Sequence, residues 1–191
     1  AADLHDNLGS NAAAIASNIA FLKDPSRHID DKLMEQLEEN AQAIVTQLSD
    51  TIWVLKNEQL PITKLADRFK VWAQRILQNY PSVTYHYSEH IIDDPDLAPG
   101  KVLHLFLMLK ECLNNALRHS RCSEINIRFE SDGKLSILLE DNGVGFDMNN
   151  IRDGNGIESL RKRASVCGMK VEWQQADPHG TRVIIEDATT N

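Results

Sequence analysis

Asp141-Asn-Gly-Val-Gly-Phe-Asp147 is the centre of the segment, Glu111 to Thr181, around which this chain is organised. The apolar run before it, Leu135-Ser-Ile-Leu-Leu139, predicts a strand that feeds directly into Asp141 and the two glycines. Gly143 and Gly145 let the backbone turn sharply and approach a ligand that a Cβ would hold off. After a few polar residues a second cluster, Gly154-Asn-Gly156, opens a predicted helix from Ile157 to Cys167. Backbone amides at such a helix start, aided by the helix dipole, suit a phosphate group. Each glycine cluster taken alone is a weak signal and reads more readily as a plain turn than as a ligand site.

Working outward, the helix predicted before these clusters carries Glu111, Asn114, Asn115, Arg118 and His119. Glu111, Asn115 and His119 follow one another at four-residue steps, which puts all three on one helix face. A carboxylate, an amide oxygen, an imidazole and a guanidinium beside a glycine turn can hold a metal-bound polyphosphate. Glu111-Cys-Leu-Asn-Asn-Ala-Leu-Arg-His-Ser120 resembles the N box of the Bergerat-type nucleotide fold found in the GHKL ATPases, histidine kinases among them. In the same way Asp141-Asn-Gly-Val-Gly145 resembles the G1 box, Gly154-Asn-Gly156 the G2 box, and Gly180-Thr181 the closing Gly-Thr element. The motifs stand in the family's order.

Composition fits that reading. A length of 191 residues allows one large domain or two small ones. The formal charge of −8 argues against nucleic acid or an anionic membrane as the main partner. The longest apolar run, Val102 to Leu109, is too short for a membrane span and is interrupted by His104. Cys112, Cys122 and Cys167 cannot all pair within the chain and lack metal-ligand spacing, so they read as reduced thiols of a cytoplasmic protein. For Cys112, packing within the helix is the expected role. The chain opens without Met, inside what reads as a helix already under way; a fragment is expected, with any sensor or membrane-anchored region preceding residue 1.

From its start, Leu4, Leu8, Ile15, Ile19 and Leu22 recur at helical spacing, predicting a helix over residues 2–23 that Asp24-Pro25-Ser26 ends. A second helix is expected from Asp30 to Asn57, with an apolar seam of Leu33, Leu37, Ala41, Ile44, Leu48, Ile52 and Leu55. Two helices with a short connection make an antiparallel hairpin, whose seam calls for a second hairpin. Two chains joined as a four-helix bundle satisfy it; packing against the rest of the same chain is the alternative. Gln59 to Pro61 mark the expected break between residues 1–58 and 61–187. Beyond it the pattern predicts a helix from Ile62 to Gln78, a strand from Pro81 to Tyr87, and an acidic loop from Glu89 to Gly100. The helix carrying Glu111 follows from Lys101 to Ser120, then strands at Glu124–Glu130, Leu135–Glu140, Lys170–Gln174 and Thr181–Glu186. The expected fold class is α+β: a helical hairpin forming a dimeric four-helix bundle, then an α/β sandwich of the GHKL type.

His5-Asp-Asn-Leu-Gly-Ser10 lies on the first predicted helix, with Gly9 one turn after His5. Glycine inside a helix costs about 1 kcal/mol relative to alanine. Room beside His5 for an incoming domain is one reason for it, and close helix packing is the other. The stretch resembles the phosphoacceptor motif of the His-Asp subfamily of histidine kinases, which includes the nitrate-sensor and lipid-fluidity-sensor kinases. The short segment Met148-Asn-Asn-Ile-Arg-Asp153 resembles that subfamily's short lid, and modest nucleotide affinity is expected from it.

The resemblance implies the following roles. Asp141 accepts a hydrogen bond from the exocyclic amine of adenine, supported by Thr181 through water, which selects ATP over GTP. Asn115 is the Mg²⁺ ligand, Glu111 orients metal-bound water, and Arg118 and His119 meet the phosphates; for His119 a helix-end cap is the alternative. Gly143, Gly145, Gly154 and Gly156 shape the nucleotide loops. His5 attacks the γ-phosphate, Asp6 fixes the imidazole tautomer and takes up the proton, and the phosphoryl group passes to an aspartate in the receiver domain of a response regulator. The subfamily often has Gln four residues after the Asp; Ser10 stands there, which puts phosphatase activity in doubt. A homodimer is implied. Two other readings stay open: a GHKL-type ATPase or protein-serine kinase without phosphohistidine, and a catalytically inactive dimerisation scaffold.

Overall fold

Alternation is the main signal in Glu124–Ser131 and Leu135–Asp141, and it becomes a sheet with one buried and one open face. The computed structural model of the protein describes residues 9, 12–19, 31–145 and 155–188. The chain divides into two compact units, Ala1–Asn57 and Glu58–Asn191.

In the first unit residues 12–19 are helical (α1), and α2 runs Asp31–Leu55. Ile15 and Ile19 of the expected α1 pattern are described; the hairpin turn, His5, Asp6 and Ser10 lie outside the described residues. Along α2 the predicted seam is incompletely covered: Leu48, Ile52 and Leu55 remain 45%, 48% and 75% exposed, and Met34 and Val45 beside it are exposed as well.

The second unit runs α3 (Ile62–Leu77), β1 (Thr84–Ile91), α4 (Pro99–His119), β2 (Glu124–Ser131), β3 (Leu135–Asp141), α5 (Asn155–Val166), β4 (Met169–Gln175) and β5 (Thr181–Asp187). Its sheet is five-stranded in the order β1-β2-β3-β5-β4, with β1 and β2 parallel and every other pair antiparallel. A parallel pair needs a long crossover, and α4 supplies it. The β2–β3 connection is short, with Gly133 at φ +69°, a left-handed conformation that glycine adopts without a Cβ penalty.

One sheet face is apolar: Ile125, Ile127, Phe129, Leu135, Ile137, Leu139, Val183 and Ile185 are all buried. Against the second unit's sheet lie helices with matching buried stripes. In α3 it is Leu65, Ala66, Phe69, Trp72 and Ala73; in α4 it includes Leu105, Phe106, Leu109 and Leu113. Phe69 contacts Phe129 with ring centroids 6.2 Å apart, and Trp72 meets the Phe106 edge at 6.4 Å. Fully burying one such side chain is worth roughly 1.5–3 kcal/mol, so this layer dominates the unit's stability. The opposite face carries polar pairs, including the ion pairs Lys170–Glu186 at 2.6 Å and Arg182–Glu140 and the His86–Glu124 contact at 3.3 Å. Exposed pairs of this kind contribute little.

In the second unit the expected elements recur with shifted ends, and one assignment needs correction. The predicted strand stops at Tyr87 and Glu89 to Gly100 reads as an acidic loop; β1 instead continues to Ile91, paired residue for residue with β2 as far as Ser131. Polar side chains at Ser88, Glu89 and His90 are tolerated because β1 is a sheet edge and these residues are exposed. Pro99 belongs to the first turn of α4, where its missing N–H costs nothing.

Candidate functional site

Strand β3 delivers Asp141 to the end of the sheet, in register with Thr181 of β5 and Ile125 of β2. The residue is only 3% exposed. Its Oδ1 accepts a 2.9 Å hydrogen bond from the Gly143 N–H. Burial raises the Asp141 carboxyl above its ordinary value; hydrogen bonds from the Gly143 and Thr181 backbones oppose the shift without cancelling it. A buried carboxylate at a strand end, held by its own turn, is suited to accepting a hydrogen bond from one directed donor on a ligand.

The turn after Asp141 is pressed against the end of α4. A Cβ at Gly143 would lie 2.2 Å from the Ser120 carbonyl oxygen and 2.6 Å from the Ser120 Cβ. The expected close approach at this glycine is therefore to the protein's own backbone. The Val144 N–H donates to that Ser120 carbonyl at 2.8 Å. Ser120 is buried, and its hydroxyl donates to the Ala116 carbonyl at 2.7 Å while accepting from the Cys122 N–H at 3.1 Å. Asn142 clasps the start of β2: its Oδ1 accepts from the Ser123 and Glu124 N–H groups, each at 2.9 Å. From the other side, Gly180 at φ +113° lies so close that a Cβ would sit 1.8 Å from the Asp141 carbonyl oxygen, and one at Gly145 would be 3.3 Å from the Gly180 oxygen.

Glu111 and Asn115 are half-buried on successive turns of α4, and the Asn115 Nδ2 donates to Glu111 Oε1 at 3.3 Å. Gly156, in the first turn of α5, sits beside them: a Cβ there would be 3.3 Å from the same Glu111 oxygen. Arg118 and His119 are exposed in the last turn of α4. Of the residues singled out in the sequence, the structure thus gathers Asp141, Gly143, Gly145 and Thr181 at one end of the sheet, and Glu111, Asn115 and Gly156 between α4 and α5. Gly143 resting on Ser120 joins the first group to the α4 end. Gly154 and the lid lie outside the described residues, with His5 and Asp6.

Ser120, Asn142 and His179 are the site-forming residues that sequence reasoning passed over. The His179 Nδ1 lies 3.2 Å from the Gly143 carbonyl oxygen. Ser120 and Asn142 were quoted inside motifs, yet their hydrogen bonds are to partners set by the fold. His179, next to Gly180, carried no local signal.

Other features do not compete for this role. A cleft of about 540 Å³ opens at the opposite end of the sheet beside Asp93, Asp94 and Asp187, but those carboxylates are engaged by the Gly133 N–H, Thr63, Leu135 N–H and Lys101. The three cysteines are free thiols, and burial raises all three, Cys112 to about 12. That makes them poor nucleophiles. Among the described residues no helix is long and apolar enough to cross a membrane.

Residues 100–187 match the family model described as histidine kinase-, DNA gyrase B-, and HSP90-like ATPase. The fold and the glycine turns around Asp141 therefore belong to an ATPase domain of that class. Over 188 residues, 97% of the chain, the sequence is 24% identical to the sensor histidine kinase LiaS of Bacillus subtilis, covering 52% of that protein. It is 25% identical over 191 residues to the signal transduction histidine-protein kinase/phosphatase UhpB of Salmonella typhimurium, covering 37% of it. Among solved structures, the blue-light activated histidine kinase EL346 of Erythrobacter litoralis shares the fold with a TM-score of 0.65 at 17% identity, over 98% of this chain and 60% of that one. Residues 100–187 thus carry the ATPase domain, and nearly the whole chain is similar to proteins described as sensor histidine kinases. It spans about half the length of LiaS and roughly a third of UhpB.

Proposed function

We propose that this chain is the catalytic core of a two-component sensor histidine kinase, binding ATP at residues 61–187 and phosphorylating His5 on a dimerising hairpin of residues 1–58. The observation that supports it most is the buried carboxylate of Asp141, fixed by the Gly143 N–H and facing Thr181 in register. Adenine offers an amine to such an acceptor; guanine offers a carbonyl oxygen, which a carboxylate repels. Glu111, Asn115, Arg118 and His119 line the adjoining helix, where the phosphates would lie, with Gly145, Gly154 and Gly156 shaping the loops.

The donor set fits Mg²⁺. Asn115 uses its Nδ2 toward Glu111, which leaves the amide Oδ1 as a hard ligand beside a carboxylate. Among the described residues no group of three or more His, Cys, Asp or Glu forms a cage, and Mg²⁺ commonly takes one or two protein oxygens, completing its shell with phosphate oxygens and water. When bound, the ion neutralises charge on the phosphates. The chain's own groups do the rest: Asn115 and Glu111 orient, while Asp141 and Thr181 hold the base.

In the transfer, a ring nitrogen of His5 forms the N–P bond as the bond from the γ-phosphorus to the bridging oxygen breaks and ADP leaves. Asp6 accepts the proton from the other ring nitrogen. Positioning and charge neutralisation are the main requirements of such a step. The phosphoryl group then passes to an aspartate on a receiver domain. The exposed apolar residues Leu48, Ile52 and Leu55 on α2 support a homodimeric four-helix bundle. The His-Asp subfamily is supported by His5-Asp6 and the short lid, and the active core is assigned to the cytoplasm. Ser10 in place of Gln leaves the kinase chemistry complete and makes phosphatase activity the weaker expectation.

Incubation with γ-labelled ATP tests the proposal. Acid-labile label on the wild type, absent from His5→Gln, is expected. Acid-stable label or free phosphate alone would favour the GHKL-type ATPase or serine-kinase reading.

A further inference from the structure

We propose that His179, on the turn between β4 and β5, is a positioning residue of the nucleotide site that holds the glycine turn following Asp141. The inference rests on the reading of Asp141 as the nucleotide's anchor. It concerns one peptide group, Gly143–Val144. Its N–H, on Val144, donates to the Ser120 carbonyl at 2.8 Å. Its C=O, on Gly143, lies 3.2 Å from the His179 Nδ1. A carbonyl oxygen only accepts, so Nδ1 carries the proton, whether the ring is neutral or charged.

That peptide needs holding. It is flanked on one side by Gly143, where the backbone has wide conformational freedom. The preceding amide, Gly143 N–H, is the donor to Asp141 Oδ1. A rotation of the Gly143–Val144 peptide moves that donor and with it the buried carboxylate. His179 and Ser120 restrain the peptide from its two sides. His179 is itself well placed: its neighbour Gly180 is packed against the Asp141 carbonyl, and the Ala176 N–H closes the turn onto the Gly180 carbonyl at 3.1 Å.

The test is a titration of the full chain with a fluorescent ATP analogue, comparing wild type with His179→Ala, His179→Asn and Asp141→Ala. The amide nitrogen of Asn occupies the position of Nδ1 and keeps the donor. Each variant is first shown by circular dichroism to be almost wholly folded at the assay temperature, so that a loss of stability does not shift the midpoint and mimic a loss of affinity. His179→Ala is expected to weaken binding roughly two- to tenfold, the range for one hydrogen bond, and His179→Asn to restore most of it. Asp141→Ala is expected to abolish saturable binding. Wild-type affinity in His179→Ala, with binding lost in Asp141→Ala, overturns the role of His179 and leaves the site standing. Equal losses in His179→Ala and His179→Asn also overturn it, because the donor then does not matter. Wild-type affinity in Asp141→Ala overturns the site and this inference together. If His179→Ala does not fold, His179→Leu, which also lacks the donor, is read in its place by the same criteria.

Discussion

Replacing Gly143 with alanine adds a single methyl group at the tightest contact of the site. Its Cβ would meet the Ser120 carbonyl oxygen at 2.2 Å, against 3.4 Å or more for ordinary contact. The obstacle is backbone at the end of α4, so no side chain can swing aside. The turn must retreat by roughly 1 Å, which breaks the 2.8 Å Val144–Ser120 bond and displaces the 2.9 Å bond from Gly143 to Asp141. Each lost bond costs about 1 kcal/mol, and a buried donor left without a partner about 1–3 kcal/mol. A loss of about 3 kcal/mol in total follows. For a domain of this size that lowers the melting temperature by about 10 °C. The assay is urea and thermal unfolding of Gly143→Ala beside Gly133→Ala, which has open space at its Cβ and only a positive φ to strain it. Gly133→Ala is expected to lose about 1 kcal/mol. Equal midpoints for Gly143→Ala and the wild type would refute the close packing of the turn on Ser120.

Asn115→Ala should reduce Mg²⁺-dependent phosphorylation far more than nucleotide affinity, because the contacts to the base remain; a wild-type rate would place the metal ligand elsewhere. Asp141 should give a pH signature. Its carboxyl is raised in the folded protein, so the folded state binds more protons than the unfolded chain between the ordinary carboxylate value and that raised one, and stability falls as pH rises through this window. ATP affinity runs the other way, weakening as acid neutralises the acceptor, and Asp141→Asn should remove this pH dependence of unfolding. Asp6→Asn should slow phosphorylation of His5 by roughly 10²–10⁴-fold, since an amide does not accept the proton; full speed would make Asp6 a surface charge. A charged residue at Leu37 or Ile44 should dissociate the dimer, checked by sedimentation, because an unpaired charge in an apolar seam is costly; a monomeric wild type at micromolar concentration would count against the bundle.

Sequence alone determined what depends on neighbours along the chain. Helical spacing marked the seam of α2, strand-like runs marked β2 and β3, and the four glycine- and asparagine-bearing motifs located Asp141, Glu111 and Asn115. These signals are local, because period and turn chemistry are properties of a few adjacent residues. Tertiary structure decided the rest. Strand β1 runs on through Ser88-Glu-His90 because β2 offers it a row of backbone partners, which no polarity pattern within those residues records. Gly143 is required by Ser120, Gly180 by the Asp141 backbone, and Asn142 by the Ser123 and Glu124 amides. His179 reaches Gly143 across 36 positions of sequence. Such contacts exist only once the sheet has brought the ends of β3 and β5 and the last turn of α4 together. The residues that carry the proposed chemistry were legible as motifs, whereas those that hold them in place were set by packing between distant segments.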